Sequence, residues 1–185
     1  MNFIILKDPD RQQAIRKWHS ELHDEDHRGD RARLRRCDRI DAVMLEPACF
    51  RLCQKTKGDT EGLALVAGLL TWVENLSDQP TALLLGRFKP GGDTPLFSEL
   101  RFRRLLASSA PDDFYQGMRR AIMQLGKTAD PIQLADEILH WHAQHKWPDN
   151  YQGIRQWRYR MARGYYAPQS LPTGLISDSS RRPQP

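Results

Sequence analysis

Residues 61–76 carry almost nothing but apolar side chains. Leu63, Leu65, Val66, Leu69, Leu70, Trp72, Val73 and Leu76 cover nearly the whole circumference of a helix built from them. In a water-soluble chain such a helix has to lie at the centre, with other elements packed around it. The stretch is shorter than the roughly 18 apolar residues that suggest a membrane span, so protein has to supply its surroundings. The rest of the chain offers amphipathic helices. There is no clean alternating run, and no Asn-Gly or Asp-Gly turn between apolar stretches, so strand signals are scarce.

The helices can be placed by their breakers and stripes. A first helix, over about 10–22, sets Ile15, Trp18 and Leu22 on one face, and a polar link over 24–29 follows. Asp30 is expected to cap a second helix that turns Leu34, Cys37 and Ile40 inward and its arginines outward. Pro47 opens a third, with Phe50, Leu52 and Cys53 as its apolar side and Gly58 as its end. The central 61–76 stretch and a short apolar run at 82–85 lead into a loop over 86–95, where Pro90, Gly91, Gly92 and Pro95 mark a hinge. Beyond it, 96–107 places Phe102, Leu105 and Leu106 on one face, Arg103 and Arg104 opposite, and Arg101 on the flank. Pro111 starts a helix bearing Phe114, Met118, Ile122 and Leu125, with Gly126 as its C-cap. Asp130 and Pro131 open another, with Ile132, Ala135, Ile138 and Leu139 as its core stripe. Pro148 precedes a last helix with Ile154, Trp157, Met161 and Tyr165 inward, closed by Pro168. The expectation is an all-α helical bundle of two subdomains, 1–95 and 96–168, joined by a Gly/Pro-rich loop. The Ser- and Pro-rich tail, 169–185, is expected to be disordered.

Arginine outnumbers lysine 21 to 7, and it gathers in three clusters: Arg31/Arg33/Arg35/Arg36, Arg101/Arg103/Arg104 and Arg155/Arg158/Arg160/Arg163. The planar guanidinium forks onto phosphate oxygens and stacks on bases, as an ammonium cannot. At three- to four-residue spacing on a helix, such groups align about 5–6 Å apart at Cβ, close to the phosphate spacing of a single strand. The formal net charge of +5 suits a polyanion partner. The same rows read equally as solvated faces paired with acidic neighbours, or as anchors for another protein. Asp38 and Asp41 are expected to neutralise Arg35 and Arg36 in part, whereas Arg119, Arg120 and the 155–163 face have fewer acidic neighbours.

The run Ser98-Glu-Leu-Arg-Phe-Arg-Arg-Leu-Leu106 resembles the signature of the CasB family, the small subunit of the type I-E CRISPR surveillance complex Cascade. The order of other features is similar too: Trp18, then Gly29-Asp-Arg-Ala-Arg-Leu-Arg-Arg36, Phe50-Arg-Leu52, the central apolar helix, Leu84-Leu-Gly-Arg87, Arg119-Arg120, Ile138-Leu-His-Trp141 and Arg158-Tyr-Arg-Met-Ala-Arg-Gly-Tyr-Tyr166. The resemblance runs over about residues 11–167. It implies an all-helical, cytoplasmic, non-enzymatic subunit with no cofactor and no metal. Its partners would be the backbone and large subunits of Cascade, a second copy of itself, the guide RNA, and the target and non-target DNA strands. Its basic positions would be Arg35, Arg36, Arg101, Arg119, Arg120, Arg155 and Arg158, holding the hybrid and the displaced strand. Strand exchange in an R-loop is nearly balanced in free energy, so modest contacts can tip it. The alternative is a purely structural subunit that touches no nucleic acid. The end over 155–166 aligns only loosely with the family, and the tail after Pro168 is not placed by it.

His19, His23 and His27 recur every four residues and could share a helix face as metal ligands, or form a solvated acidic–histidine patch. The Pro47-Ala-Cys49-Phe-Arg-Leu-Cys53 spacing does not match the Pro-Cys-x-x-Cys of zinc deaminases. Cys37, Cys49 and Cys53 fall in apolar helical positions and read as buried free thiols. No Gly-rich phosphate loop and no secretory leader is legible. His140, His142 and His145 read as packing residues, and Tyr159 falls on the arginine side, where it could stack on a base.

Overall fold

The computed structural model describes residues 3–167, and the expected tail lies outside them. The all-α expectation is met. Ten helices are present among the described residues: α1 (Pro9–His23), α2 (Arg28–Arg36), α3 (Ile40–Met44), α4 (Pro47–Lys55), α5 (Thr60–Leu70), α6 (Thr81–Gly86), α7 (Glu99–Leu106), α8 (Pro111–Gln124), α9 (Pro131–Lys146) and α10 (Trp157–Tyr166). Two strands of two residues each, β1 (Asn75–Leu76) and β2 (Thr128–Ala129), pair in parallel, with Asn75 opposite Thr128 and Leu76 opposite Ala129.

Local chemistry explains most starts. Proline occupies the first turn of α1, α4, α8 and α9, where its missing N–H costs nothing. Asp8, Asp59 and Asp130 cap α1, α5 and α9 by accepting from N–H groups of the first turn. Every residue of α5 from Gly62 to Leu70 is buried, so the circumferentially apolar stretch is indeed the centre. Helix α9 lies against it and is buried over 131–143. Helices α3, α4 and α8 complete the wrapping of α5, and α1 packs on α4 and α9. One cluster of buried side chains draws from both sides of the 86–95 loop, from Ile15 and Leu65 through Phe102 and Phe114 to Trp157. Stacked rings reinforce it: Phe114 on Trp141 at 4.1 Å and Phe102 on Tyr165 at 3.9 Å.

Several sequence expectations need correction. Helix α2 stops at Arg36. Cys37 is extended and Ile40 begins the separate α3, so Leu34, Cys37 and Ile40 are all buried as expected but do not share one helix. Asp30 sits inside the first turn of α2, with His27 at the cap position. Phe50 is 54% exposed, and Ala48, Cys49 and Leu52 form the buried side of α4. Helix α5 ends at Leu70, and Leu76 is exposed in β1. Ile154 is 76% exposed in a single 3-10 turn, because Gly153 takes a φ of 55° and interrupts the chain before α10. Helix α10 starts at Trp157, whose backbone N–H donates to Gln144 Oε1 on α9 at 2.6 Å.

Two devices tie distant segments together. Asp136 on α9 is wholly buried and accepts from the backbone N–H groups of Ile4, Ile5 and Leu6, at 2.7 Å for Ile5 and 2.8 Å for Leu6. Helices α6 and α10 meet backbone to backbone. A Cβ placed on Gly86 would lie 1.8 Å from the Tyr165 carbonyl oxygen, and one on Gly164 would lie 2.7 Å from Ala82 Cβ. Gly86, read from sequence as the start of the loop, is the last residue of α6.

Candidate nucleic-acid interface

Helices α7 and α8 pack side by side and leave between them an open groove of about 1130 Å³. Phe97, Leu105 and Met123 supply apolar lining, and Arg101, Arg104, Arg119 and Arg120 supply four guanidiniums. Against those four stands one lining carboxylate, Asp113. None of the four arginines forms an ion pair among the described residues. Arg101 donates to the amide oxygen of Gln124 across the groove at 3.3 Å. Arg101 and Arg104 are three residues apart and so share a face of α7. Arg103, grouped with Arg104 in the sequence reading, instead turns to Glu99, donating to its carboxylate at 2.7 Å. That hydrogen bond, with a second from Tyr166, holds the Glu99 carboxyl below its ordinary range.

Arg119 is half-buried, and its guanidinium lies 4.3 Å from the centroid of the Trp72 ring. Arg35 approaches the same ring at 5.2 Å. Trp72 is brought there by the chain after α5, which runs beside the end of α8. Gly126 and Lys127 both take left-handed conformations, with φ of 62° and 61°, and the Lys127 carbonyl accepts from the N–H groups of Glu74 and Asn75.

The structure brings Arg101, Arg119 and Arg120 into one groove and adds Arg104, which the sequence reading did not carry as a site residue. The other sequence-predicted positions lie elsewhere. Arg35 donates from Nε and Nη2 to the Thr71 carbonyl, at 3.0 and 2.8 Å, and from Nη2 to Glu74 at 2.7 Å. Its neutralisation therefore comes from Glu74 and not from Asp38 or Asp41. The Glu74 carboxyl sits below its ordinary range, held first by Lys127 and then, against partial burial, by Arg35. Arg36 is exposed and donates to the Ala32 carbonyl one turn back at 3.2 Å. Arg155 is exposed on the 3-10 turn before α10, and its carbonyl accepts from His140. Arg158 donates to Gln156 and borders a separate apolar notch of about 530 Å³ with Leu106, Ile154, Tyr159 and Ala162.

The histidines do not converge on one point. His19 is buried and donates to the Val73 carbonyl at 3.1 Å; burial, then the neighbouring His23, pushes its pKa down to about 4. His23 donates to the His19 carbonyl, and His27 meets Asp30. Asp59, Glu61 and His142 do come together, with His142 Nε2 at 3.3 Å from Asp59 and 3.0 Å from Glu61. Lys146 also pairs with Asp59, and Asp59 caps α5, so these groups tie α5 to α9 as an ion cluster. Cys37 and Cys49 are buried and all three cysteines are free; burial pushes the Cys49 thiol up to about 12. No helix among the described residues is long and apolar enough to cross a membrane.

A family model described as CRISPR-associated protein Cse2 matches residues 30–166. No curated protein and no solved structure gives a significant match. The chain belongs to the Cse2 family, the small structural subunit of the type I-E CRISPR Cascade complex, and other Cascade subunits are its partners.

Proposed function

We propose that this Cse2-family subunit grips a sugar-phosphate strand in the groove between α7 and α8 and thereby stabilises the R-loop of a cytoplasmic Cascade complex, without catalysing a reaction. The observation that carries the proposal is the set of four guanidiniums facing one concavity with no carboxylate paired to any of them among the described residues. Four clustered guanidiniums against one lining carboxylate repel one another, and an entering polyanion relieves that repulsion while releasing its counterions. Arg101, Arg119 and Arg120 are the primary contacts, joined by Arg104. Arg36, Arg155 and Arg158 are exposed and serve as outer contacts to the hybrid, the guide RNA or the displaced strand. Of the apolar lining, Phe97 and Leu105 are buried beneath the groove floor and Met123, 44% exposed, is the side chain a base could rest against.

The notch beside Arg158 supports a second role. Ile154 is 76% exposed and Tyr159 48% exposed at its edge. Such a surface suits a protein neighbour, a backbone subunit or a second copy of this chain, more than it suits phosphate.

A fluorescence-anisotropy titration of labelled single-stranded DNA, on the purified chain and on assembled Cascade, tests the groove. Binding that weakens steeply with salt, and falls about tenfold or more in R119A/R120A while the thermal midpoint moves by no more than about 2–3 °C, is the expected result. Equal binding by the variant and the parent in both preparations leaves the purely structural alternative.

A further inference from the structure

Trp72 does not line the groove, yet it touches the one groove arginine that is half-buried. Its ring is flanked by two guanidiniums, Arg119 at 4.3 Å and Arg35 at 5.2 Å. The two are anchored very differently. Arg35 is fixed by Thr71, at 2.8 Å, and by Glu74, at 2.7 Å, and Lys127 holds the other side of Glu74 at 3.0 Å. Arg119 has no ion pair among the described residues, so the indole face is the contact that orients it. A guanidinium over an aromatic ring is attracted by the ring quadrupole and keeps its N–H edge free to donate, whereas a carboxylate partner would occupy that edge.

We propose that Trp72 is a positioning residue for the groove, presenting Arg119 to an anionic strand with its hydrogen-bonding edge unoccupied, and that Arg35 and Glu74 act behind it as the brace that fixes the ring. This rests on the groove being the strand site. It assigns Arg35 to a different task from its neighbours: it acts through Trp72 and not by touching the ligand. The arrangement solves a specific problem. A long arginine side chain waiting in solvent loses rotamer freedom when it binds. Stacking it on a braced ring restricts that freedom beforehand without neutralising its charge.

The test uses the full chain and labelled single-stranded DNA, with nuclear magnetic resonance of the arginine side chains. In the parent protein the Arg119 Hε resonance should be shifted upfield by the Trp72 ring current. An ordinary shift in the parent overturns the inference whatever the variants do. In W72L that shift should vanish and DNA affinity should fall roughly three- to tenfold, with W72F restoring most of it. If R119A weakens binding but a folded W72L binds like the parent, the positioning role is wrong and the groove stands. If R119A itself binds like the parent, the groove reading fails, and this inference fails with it. Should W72L not fold, R35A and E74Q carry the same comparison: both are expected to weaken the ring-current shift and DNA binding together, and a change in neither overturns the brace.

Discussion

Around α2, Arg33 meets Asp30 and Glu46, Arg51 meets Asp30, and Arg35 meets Glu74 and a backbone carbonyl. In the groove, Arg101, Arg104, Arg119 and Arg120 form no ion pair among the described residues, and Asp113 is the one carboxylate in the lining. Both regions are rich in the same residue, yet they use it in opposite ways. On the first, guanidinium charge joins helices: Asp30 links α2 to α4, and Glu74 links α2 to the segment after α5. The Asp30 side chain is only 12% exposed, so its pairs are better shielded than ordinary surface pairs, which are worth about 0–1 kcal/mol. On the second, charge is kept available. An arginine-rich stretch in sequence is therefore not evidence of a polyanion site until the carboxylates nearby in space are known.

The contrast can be broken by experiment. The largest effect expected is from charge reversal in the groove: R119E/R120E should lose about a hundredfold or more in single-strand affinity at low salt, near 3 kcal/mol, while reversing Arg33 should leave affinity within about twofold. Next comes D30N. It leaves Arg33 and Arg51 without their shared carboxylate and should cost about 1–3 kcal/mol of stability in denaturant titration, with DNA binding unchanged. A loss of binding in D30N would mean that the two faces are not independent.

Acid should separate the faces further. Burial works against the Asp30 charge, but Arg51, His27 and Arg33 together hold its carboxyl below the ordinary range, and Glu74 is also held low. Groups depressed in the folded state contribute stability above their unfolded pKa and lose it as pH falls through their folded values. The melting midpoint should therefore drop below about pH 4, less steeply in D30N. Glu137 acts with the opposite sign. Burial raises its carboxyl to about 8, against Arg160, so stability should decline as pH rises from about 4.5 to about 8, and E137Q should flatten that limb. The smallest expected effect is R101A, which should lower the slope of log affinity against log salt by roughly 0.7, the loss of one phosphate contact on a single strand.

How much of this was legible in the chain follows from range. Helix starts were readable because proline and aspartate act within three residues of where they stand, as at Pro111 and Asp130. The central place of α5 was readable because an apolar circumference has one solution in water. Phe50 and Ile154 were misread because hydrophobicity alone does not say which apolar residue a helix turns outward, and because Gly153 ends one local geometry before α10 begins another. The groove was half legible. Adjacent arginines at 119 and 120 stand out, but that Arg35 is spent on Glu74, 39 residues away, needs the fold. Trp72 looked like core, and no local signal tells a core indole from one that carries two guanidiniums.

The backbone contact between α6 and α10 has a consequence for how this chain can vary. An exposed side chain such as Arg120 can drift without disturbing the packing. Position 86 admits no such drift, because a methyl group there would sit 1.8 Å from a main-chain oxygen. A saturation library scored for folded protein should show a single permitted letter at that site amid broad tolerance along the outer helix faces, a signature of geometry where chemistry would otherwise be expected.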